Sequence, residues 1–406
     1  MTMTSSSSIL LTLSIALLAG LLLSASTSFA QHYHQDGKNP EILCPADYVV
    51  WGRQEIVIPQ VGEYNVYKAD LHTHTIFSDG QVNNTFRVNE AWQEGLDIMA
   101  VTEHIESRKF EDVMVRYTKR YHGGKYEKGV NTYINDNKPV DKAEILVDLN
   151  FSVRESQNAA KGNGLLIIPG TEITRNGRTV GHFNALFTTD NNNIYDPDPV
   201  QAVRNAKAQG ALVMHNHPGW RKTSLDYTAT EKILYDEGLV DGVEVMNFHE
   251  FYPGIIDRAR ERNLFISGNT DTHSSINLEH GQARRPMTLV FAKEKTLESV
   301  REALEAKRTL AYGFGSVVGD EQLLKDLFAA CIKVEVIRVG TQNVYLYVTN
   351  QSSIPFTVKQ GNANQLNLAP FYTLIMKMPK TNTTLDLAVL NMWCSKDAHP
   401  VVQLKY

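Results

Sequence analysis

Histidines and carboxylates recur in this sequence in short clusters, each set at the end of an apolar run. His72-Thr-His74 leads to Asp79-Gly80, and Glu103-His104 closes Ala100-Val-Thr102. Glu172 follows Pro169-Gly-Thr171 and runs on to Gly181-His182. Farther along stand His215-Asn-His217-Pro218, Glu244 and Asp271-Thr-His273. Residues two apart on an extended chain point to one side, about 7 Å along it. At a strand end, two imidazoles so placed can turn onto one ion, and Asp271-x-His273 repeats the geometry from another wall. Neutral imidazole and carboxylate are the usual donors to Zn²⁺, Mn²⁺ and Fe²⁺. The set His72, His74, Asp79, His104, Glu172, His182, His217, Asp271 and His273 exceeds the needs of one ion and suits two or three. Such ions clamp the attacking and leaving oxygens of a phosphoryl group around a shared hydroxide. Each motif alone is weak, since His-x-His is common on exposed strands and His-Pro is often a turn. Their joint placement after apolar runs is what points to a site, because an α/β barrel carries its chemistry there.

The elements that must position these groups read as short β-branched or apolar runs at 66–71, 98–102, 165–169, 182–187, 211–214, 242–246, 264–267 and 288–291. Amphipathic stretches at 84–93, 199–208 and 297–307 lie between them. This alternation predicts βαβ units and a mostly parallel sheet. Seven or eight repeats predict closure into a barrel. One connection, 105–164, is oversized and carries Arg108, Lys109, Arg116, Lys119, Arg120, Lys125 and Lys128. It reads either as a solvated helical excursion or as a lid that brings cations to an anionic substrate. Past Gly319 come strand-like runs at 333–339, 343–349, 356–359, 373–378 and 385–392, with no helical stretch between them. They predict a small antiparallel β-sandwich of roughly eighty residues that packs on the barrel.

Residues 9–23 are apolar and Ser28-Phe29-Ala30 forms a small-x-small site, so 1–30 reads as a secretory signal peptide. The run is short for a membrane span, and nothing after it is long and apolar enough to cross a bilayer. The expected location is therefore periplasmic or secreted. Residues 31–63, with Pro40, Pro45 and Pro59, read as an extension draped on the next domain. The chain of 406 residues is 42% hydrophobic and 21% charged, ordinary values for globular domains. A net charge of −5 argues against a nucleic-acid partner held by bulk electrostatics. Cys44, Cys331 and Cys394 are spaced too widely for a zinc finger. Export permits a Cys331–Cys394 bridge, with one thiol left over.

The run Asp70-Leu-His-Thr-His-Thr-x-x-Ser-Asp-Gly80, with Thr102-x-His104, Pro169-Gly-x-Glu-Ile-Thr174, His217-Pro218 and Asp271-Thr-His273, resembles the PHP (polymerase and histidinol phosphatase) superfamily. The resemblance covers residues 64–315 and is nearest to the secreted bacterial phosphodiesterases. It implies an α/β fold, a distorted (β/α)7 barrel over 64–318 with the insertion 105–164, followed by the sandwich over 319–406. It also implies a trinuclear centre of Zn, Mn or Fe. His72, His74, Glu172 and Asp271 would hold the first ion, and Asp79, His104 and His273 the second. His182 and His217 would hold the third and share Glu172. His217 fits the motif better than His215 because it directly precedes Pro218. Two positions depart from the family: Glu103 replaces an Asp, and Asn269-Thr270 replaces Gly-Ser.

The implied activity is metal-dependent hydrolysis of a small-molecule phosphate ester, a phosphodiester before a monoester. Asp271 and His217 are the catalytic candidates, Asp271 as proton carrier. Arg221, Arg284 and Arg175 follow ligand stretches closely and are the candidates for binding substrate oxygens, ahead of Arg178 and Arg285. The alternatives are a monoesterase of the histidinol-phosphatase kind and a binding module that retains metal without turnover. Amidohydrolase-type chemistry is disfavoured, because no Lys stands at the end of a predicted barrel strand.

Overall fold

The predicted alternation is realised as a sheet that curls around one end rich in histidine. The computed structural model describes residues 52–106, 148–175, 177–281 and 283–406. The expected signal peptide over 1–30, Cys44 and the basic run from Arg108 to Lys128 lie outside the described residues. β1 (Asn65–Asp70), β2 (Ile98–Val101) and β3 (Leu166–Thr174) pair in parallel. β4 (His182–Leu186) then runs antiparallel between β3 and β5 (Leu212–Asn216). Parallel order resumes with β6 (Gly242–Asn247), which carries the short β7 (Glu250–Phe251) and pairs in parallel with β8 (Phe265–Asn269). On the other side of β1 the sheet continues antiparallel through β9 (Met287–Ala292), β10 (Thr309–Gly313) and β11 (Ser316–Gly319).

The sheet is thus less parallel than the sequence predicts. Only residues 175–181 link β3 to β4, and a parallel crossover needs a dozen or more residues, so β4 must reverse. Where β8 faces β9 and β10, threonine side chains stand in for a ladder. Thr288 Oγ1 donates to Gly268 O at 2.9 Å and accepts from Gly268 N at 3.1 Å. Thr309 Oγ1 donates to Ile266 O at 2.7 Å.

Helices pack outside the sheet: α1 (Asn84–Gln93), α2 (Phe151–Ala160), α3 (Pro199–Ala208), α4 (Ala229–Asp236), α5 (Pro253–Glu261), the single turn α6 (Ile276–Glu279) and α7 (Leu297–Glu305). Their starts are written locally. Asn83 caps α1, Asp198 and Pro199 open α3, and Thr228 with Glu231 forms a capping box on α4. α2 is the described part of the oversized insertion, and it docks beside α1 through Asn84 Nδ2, which donates to Ser152 and Ser156 at 2.9 and 2.8 Å. No helix among the described residues is long and apolar enough to cross a membrane.

An eleven-residue helix, α8 (Glu321–Cys331), heads the C-terminal region, where the sequence reading has only strands. Asp320 caps it, and Leu324, Leu327, Phe328 and Cys331 form its buried face. After it come β12 (Ile332–Val339), β13 (Asn343–Asn350), β14 (Phe356–Lys359), β15 (Leu366–Leu368), β16 (Thr373–Pro379), β17 (Thr384–Val389), β18 (Met392–Trp393) and β19 (Val401–Lys405). β12, β13 and β16 form one antiparallel sheet and β15, β14, β17 and β19 another. β18 instead adds in parallel to β11 of the central sheet. One apolar cluster runs from Leu289 and Leu310 through Phe328 to Phe356 and Leu387. The extension ties both parts together. Arg53 grips Leu96 O at 2.7 Å and Asp97 at 2.6 Å, while Val57 N donates to Ser353 Oγ at 2.9 Å. The expected bridge is absent: Cys331 and Cys394 are both free thiols. Cys331 faces Ser352 in the core, where burial pushes its thiol up to about 12, and Cys394 Sγ turns to Ala398 O.

Gly242 opens β6 opposite Phe265, and a Cβ there would overlap the Phe265 ring. Gly242→Ala is expected to destabilise the protein by about 1–3 kcal/mol through overpacking, read as a lower urea midpoint at unchanged slope.

Candidate metal centre

Two chain segments about two hundred residues apart are joined at the rim by backbone bonds. Asp271 N donates to His72 O at 3.0 Å, His74 N to Thr272 O at 3.1 Å, and Gln81 N to His273 O at 2.6 Å. The turn that returns Asp79 closes on Thr75 O, which accepts from Ser78 N and Gly80 N. A Cβ on Gly80 would lie 2.8 Å from the Thr75 backbone, so only glycine fits. A second bridge, Glu172 N to Glu103 O at 2.9 Å and Ile105 N to Glu172 O at 3.0 Å, brings His104 beside Glu172. β4 places His182 opposite Thr174 and Asn216. His217 and Asp271 adopt positive φ, +26° and +54°. For residues with a Cβ these are strained conformations, of the kind held where function demands a direction.

All nine side chains named from the motifs meet. His72 Nε2 and His74 Nε2 lie 3.1 and 3.0 Å from Asp271 Oδ1, and each is 3.6 Å from the Glu172 carboxylate. Asp79 Oδ1 lies 3.2 Å from His104 Nε2 and 3.1 Å from His273 Nε2. Glu172 Oε1 lies 3.2 Å from His182 Nδ1 and 3.9 Å from His217 Nε2, which is 3.6 Å from Asp271 Oδ2. The donors fall into four overlapping groups, each spanning at most 4.8 Å, with His72, His74, Glu172 and His217 each in two. His215 turns the other way, to Tyr235 Oη at 2.9 Å and Glu231 at 3.2 Å.

The chemistry of the set suits divalent cations. His72 Nε2, His74 Nε2, Asp79 Oδ1 and Glu172 Oε2 are buried and make no hydrogen bond, although they face one another. Buried polar atoms are almost always partnered, and imidazole nitrogens converging on carboxylate oxygens are satisfied together by a shared cation. The electrostatics agree. Burial, with His104 and His273 as neighbours, holds His74 well below the ordinary imidazole value, and burial with His182 does the same to His217. Burial also opposes charge on His72, His104 and His273, yet adjacent carboxylates hold all three above the ordinary value. Burial raises Asp271 to about 6 despite His72 and His273.

Several groups position the donors: Glu244 and Glu103, which stand in the sequence clusters without a ligand role, and Arg87, which lies outside them. Glu244, buried between Val243 and Val245, accepts from or faces His72 Nδ1 at 2.9 Å, and accepts from His217 N at 2.6 Å and Asn269 Nδ2 at 2.9 Å. Its signal was a lone carboxylate inside an apolar run. Arg87, fully buried on α1, donates to His74 O at 3.2 Å and Thr272 O at 3.4 Å, while Glu90 holds it at 2.7 Å. Glu103 turns from His104 to Thr75 and to the hydroxyls of Ser78 and Ser152 at 2.5 and 2.7 Å. His104 Nδ1 meets Thr174 Oγ1 instead, at 2.5 Å.

The candidate substrate arginines divide. Arg175 pairs with Glu106 and donates to Asp196 O at 2.7 Å. Arg284 reaches Tyr312 Oη at 3.4 Å and Ser353 O at 3.5 Å, towards the C-terminal strands. Arg285 is buried against Asp70. Arg221 places its guanidinium 4.1 Å over Trp220, whose ring is 5.2 Å from both His182 and His217.

Among solved structures, a two-domain protein of Bacteroides vulgatus containing a predicted PHP-like metal-dependent phosphoesterase matches with 31% identity and a TM-score of 0.73. The match covers 87% of this chain and 99% of that one. More distant is a lesion-specific endonuclease Q of Pyrococcus furiosus, at 15% identity and TM-score 0.36, covering 63% of this chain and 59% of that one. An endonuclease Q in complex with a 27-mer duplex bearing an abasic lesion is similar at 15% identity and TM-score 0.39, over 63% of this chain and 60% of that one. No family model matches the sequence, and no curated protein does.

Two outcomes follow. Glu244→Gln leaves His72 without its carboxylate and is expected to weaken metal binding by about 10–100-fold, read by chelator competition. Because adjacent carboxylates hold His72, His104 and His273 above the ordinary imidazole value, protons compete with metal at these ligands. Affinity is expected to fall as pH falls. Calorimetry in buffers of different ionisation enthalpy measures the proton release, and an affinity independent of pH would contradict this competition.

Proposed function

Because the chain belongs to the PHP-like metal-dependent phosphoesterases, we propose that it hydrolyses a small-molecule phosphate ester, a diester in preference to a monoester, at a centre of two or three divalent ions. The observation that carries this reading is the convergence of nine donors, four with buried and unpartnered atoms. In this reading His72, His74, Glu172 and Asp271 hold one ion, Asp79, His104 and His273 another, and His182 and His217 a third that shares Glu172. Ions so held supply Lewis acidity, lowering the pKa of a water and neutralising charge on the phosphoryl oxygens.

The chain's own groups do the rest. Asp271 lies between His72, His74 and His217 and is the group placed to carry a proton of the reacting water. Glu244 fixes which nitrogen of His72 faces the centre and, through His217 N, the strained turn that aims His217. Trp220 covers His182 and His217, limiting water from that side, and Arg221 stacked on it offers a planar donor to a substrate oxygen. The leader over 1–30 suits a scavenging role outside the cytoplasm, and residues 319–406 serve as a packed accessory region.

The test is hydrolysis of bis-p-nitrophenyl phosphate and p-nitrophenyl phosphate by protein loaded with Mn²⁺ or Zn²⁺ and verified by metal analysis. Turnover of the diester in excess of the monoester is expected. Asp271→Asn should lower kcat by at least about a hundredfold. Metal-loaded protein that turns over neither ester would leave a metal-retaining binding module as the reading.

A further inference from the structure

The nine donors differ in how far water reaches them. The side chains of His72, His74 and Glu172 are fully enclosed, whereas those of His273 and Asp79 are 32% and 27% exposed, the most open of the set. His273 Nε2 and His104 Nε2 face the same oxygen, Asp79 Oδ1, at 3.1 and 3.2 Å. These three groups therefore form the outer part of the cluster. His273 lies in the loop between β8 and α6, and its ring is already oriented. Nδ1 meets Asp271 O at 2.7 Å, a carbonyl that can only accept, so Nδ1 carries the proton and Nε2 is the free donor. The ring also stacks on His74, with centroids 4.4 Å apart.

One carboxylate closes the loop that carries this histidine. Glu279 Oε1 accepts from His273 N at 3.0 Å and from Ser274 N at 2.7 Å, while Oε2 accepts from Thr272 Oγ1 at 2.5 Å. Three successive residues thus end on a single half-buried side chain. α6, which bears Glu279, is anchored from two other elements. Ile276 N donates to Glu90 Oε1 on α1 at 2.7 Å, and His249 Nε2 donates to Glu279 O at 2.9 Å. Glu90 in turn holds Arg87, which donates to Thr272 O. The clasp is therefore tied into the same frame that carries the inner donors.

We propose that Glu279 is a positioning residue for His273 and sets how tightly the outer ion is kept, so that the ion between Asp79, His104 and His273 exchanges separately from the others. The assignment rests on the reading of the nine donors as a metal centre. A ligand whose direction is fixed beforehand loses little freedom when it binds. Partners behind a metal-ligating histidine normally act on its second ring nitrogen. Here Asp271 O occupies that nitrogen, and Glu279 acts on the backbone instead. Exposure of His273 and Asp79 gives the outer ion a path to solvent that the enclosed donors deny to the rest.

The experiment counts ions and does not require turnover. Zn²⁺-loaded protein is equilibrated with increasing chelator, and ions per chain are measured for wild type, Glu279→Gln, Glu279→Ala, His273→Ala and the Glu279→Ala/His273→Ala double variant. Wild type is expected to release one ion before the others. Glu279→Ala should release that ion at about 10–100-fold lower free chelator, with the remaining ions held as in wild type. Glu279→Gln, which keeps the shape and one oxygen for the two N–H groups, should show a smaller shift of the same ion. In the His273→Ala background, Glu279→Ala should change nothing further, because the two residues act as one unit. A merely structural role would loosen every ion and add to the effect of His273→Ala. Release of all wild-type ions together, unchanged retention in both Glu279 variants, weakening of every ion in Glu279→Gln, or additivity in the double variant would each overturn the proposal. Selective release from a protein that hydrolyses no ester would uphold it and count against the phosphoesterase reading alone, whereas wild type that retains no ion would overturn both.

Discussion

The structure turns on holding many ionisable groups out of water at separations they would not choose. Nine donors occupy one end of the barrel, and their mutual repulsions and desolvation are severe. What keeps them together is backbone: the segments 72–74 and 271–273 are bonded edge to edge, and Arg87 on α1 spans both by donating to His74 O and Thr272 O. The same join is repeated one layer deeper. Asn269 Oδ1 accepts from Leu71 N at 2.8 Å, and Asp70 accepts from His72 N at 3.1 Å and pairs with Arg285. β1 and β8 are not ladder partners, so these polar links do what a ladder would otherwise do. Their side chains are buried, which makes the arrangement specific as well as costly to form.

Much of this was legible in the sequence because it is local. The strand runs at 66–71, 98–102 and 242–246 appear within a residue or so, and the helices at 84–93 and 199–208 appear with their bounds unchanged. Motif residues could be named because imidazole and carboxylate at a strand end have few other uses in such numbers. What could not be read was partnership across the chain. Arg87 looks like an ordinary helical arginine until its carbonyl partners are known, and Glu244 stands among the clusters with no role until His72 and His217 are seen beside it. α8 was missed because Glu321 to Cys331 leads directly into a strand with only Asp320 to announce it. The Cys331–Cys394 pairing failed for the same reason, since spacing says nothing of where each thiol points.

The continuity between barrel and C-terminal strands has a physical origin in the exposed edge of β11. An unpaired edge is a liability, and β18 covers it in parallel while Asn391 Nδ2 donates to Gly315 O at 2.7 Å. Phe328 on α8 then packs edge-on to Phe356 at 5.0 Å, within the cluster that includes Leu289 and Leu310. The C-terminal strands therefore share the apolar core of β9 and β10 and so stiffen β9 and, through it, β1.

The reversal of β4 matters more for chemistry than for architecture. In a parallel strand the rim lies at the C-terminal end, and His182 is the first residue of its strand. Had β4 run parallel to β3, His182 would sit at the opposite end of the barrel from Glu172. Because the 175–181 link is short, the strand must turn back, and its first residue comes to rest opposite Thr174, with His182 Nδ1 3.2 Å from Glu172. Gly181, at φ +96°, makes the entry, and a Cβ there would press on Glu231 at 2.9 Å and His215 at 3.4 Å. A short loop and one glycine thus decide whether the third donor group exists.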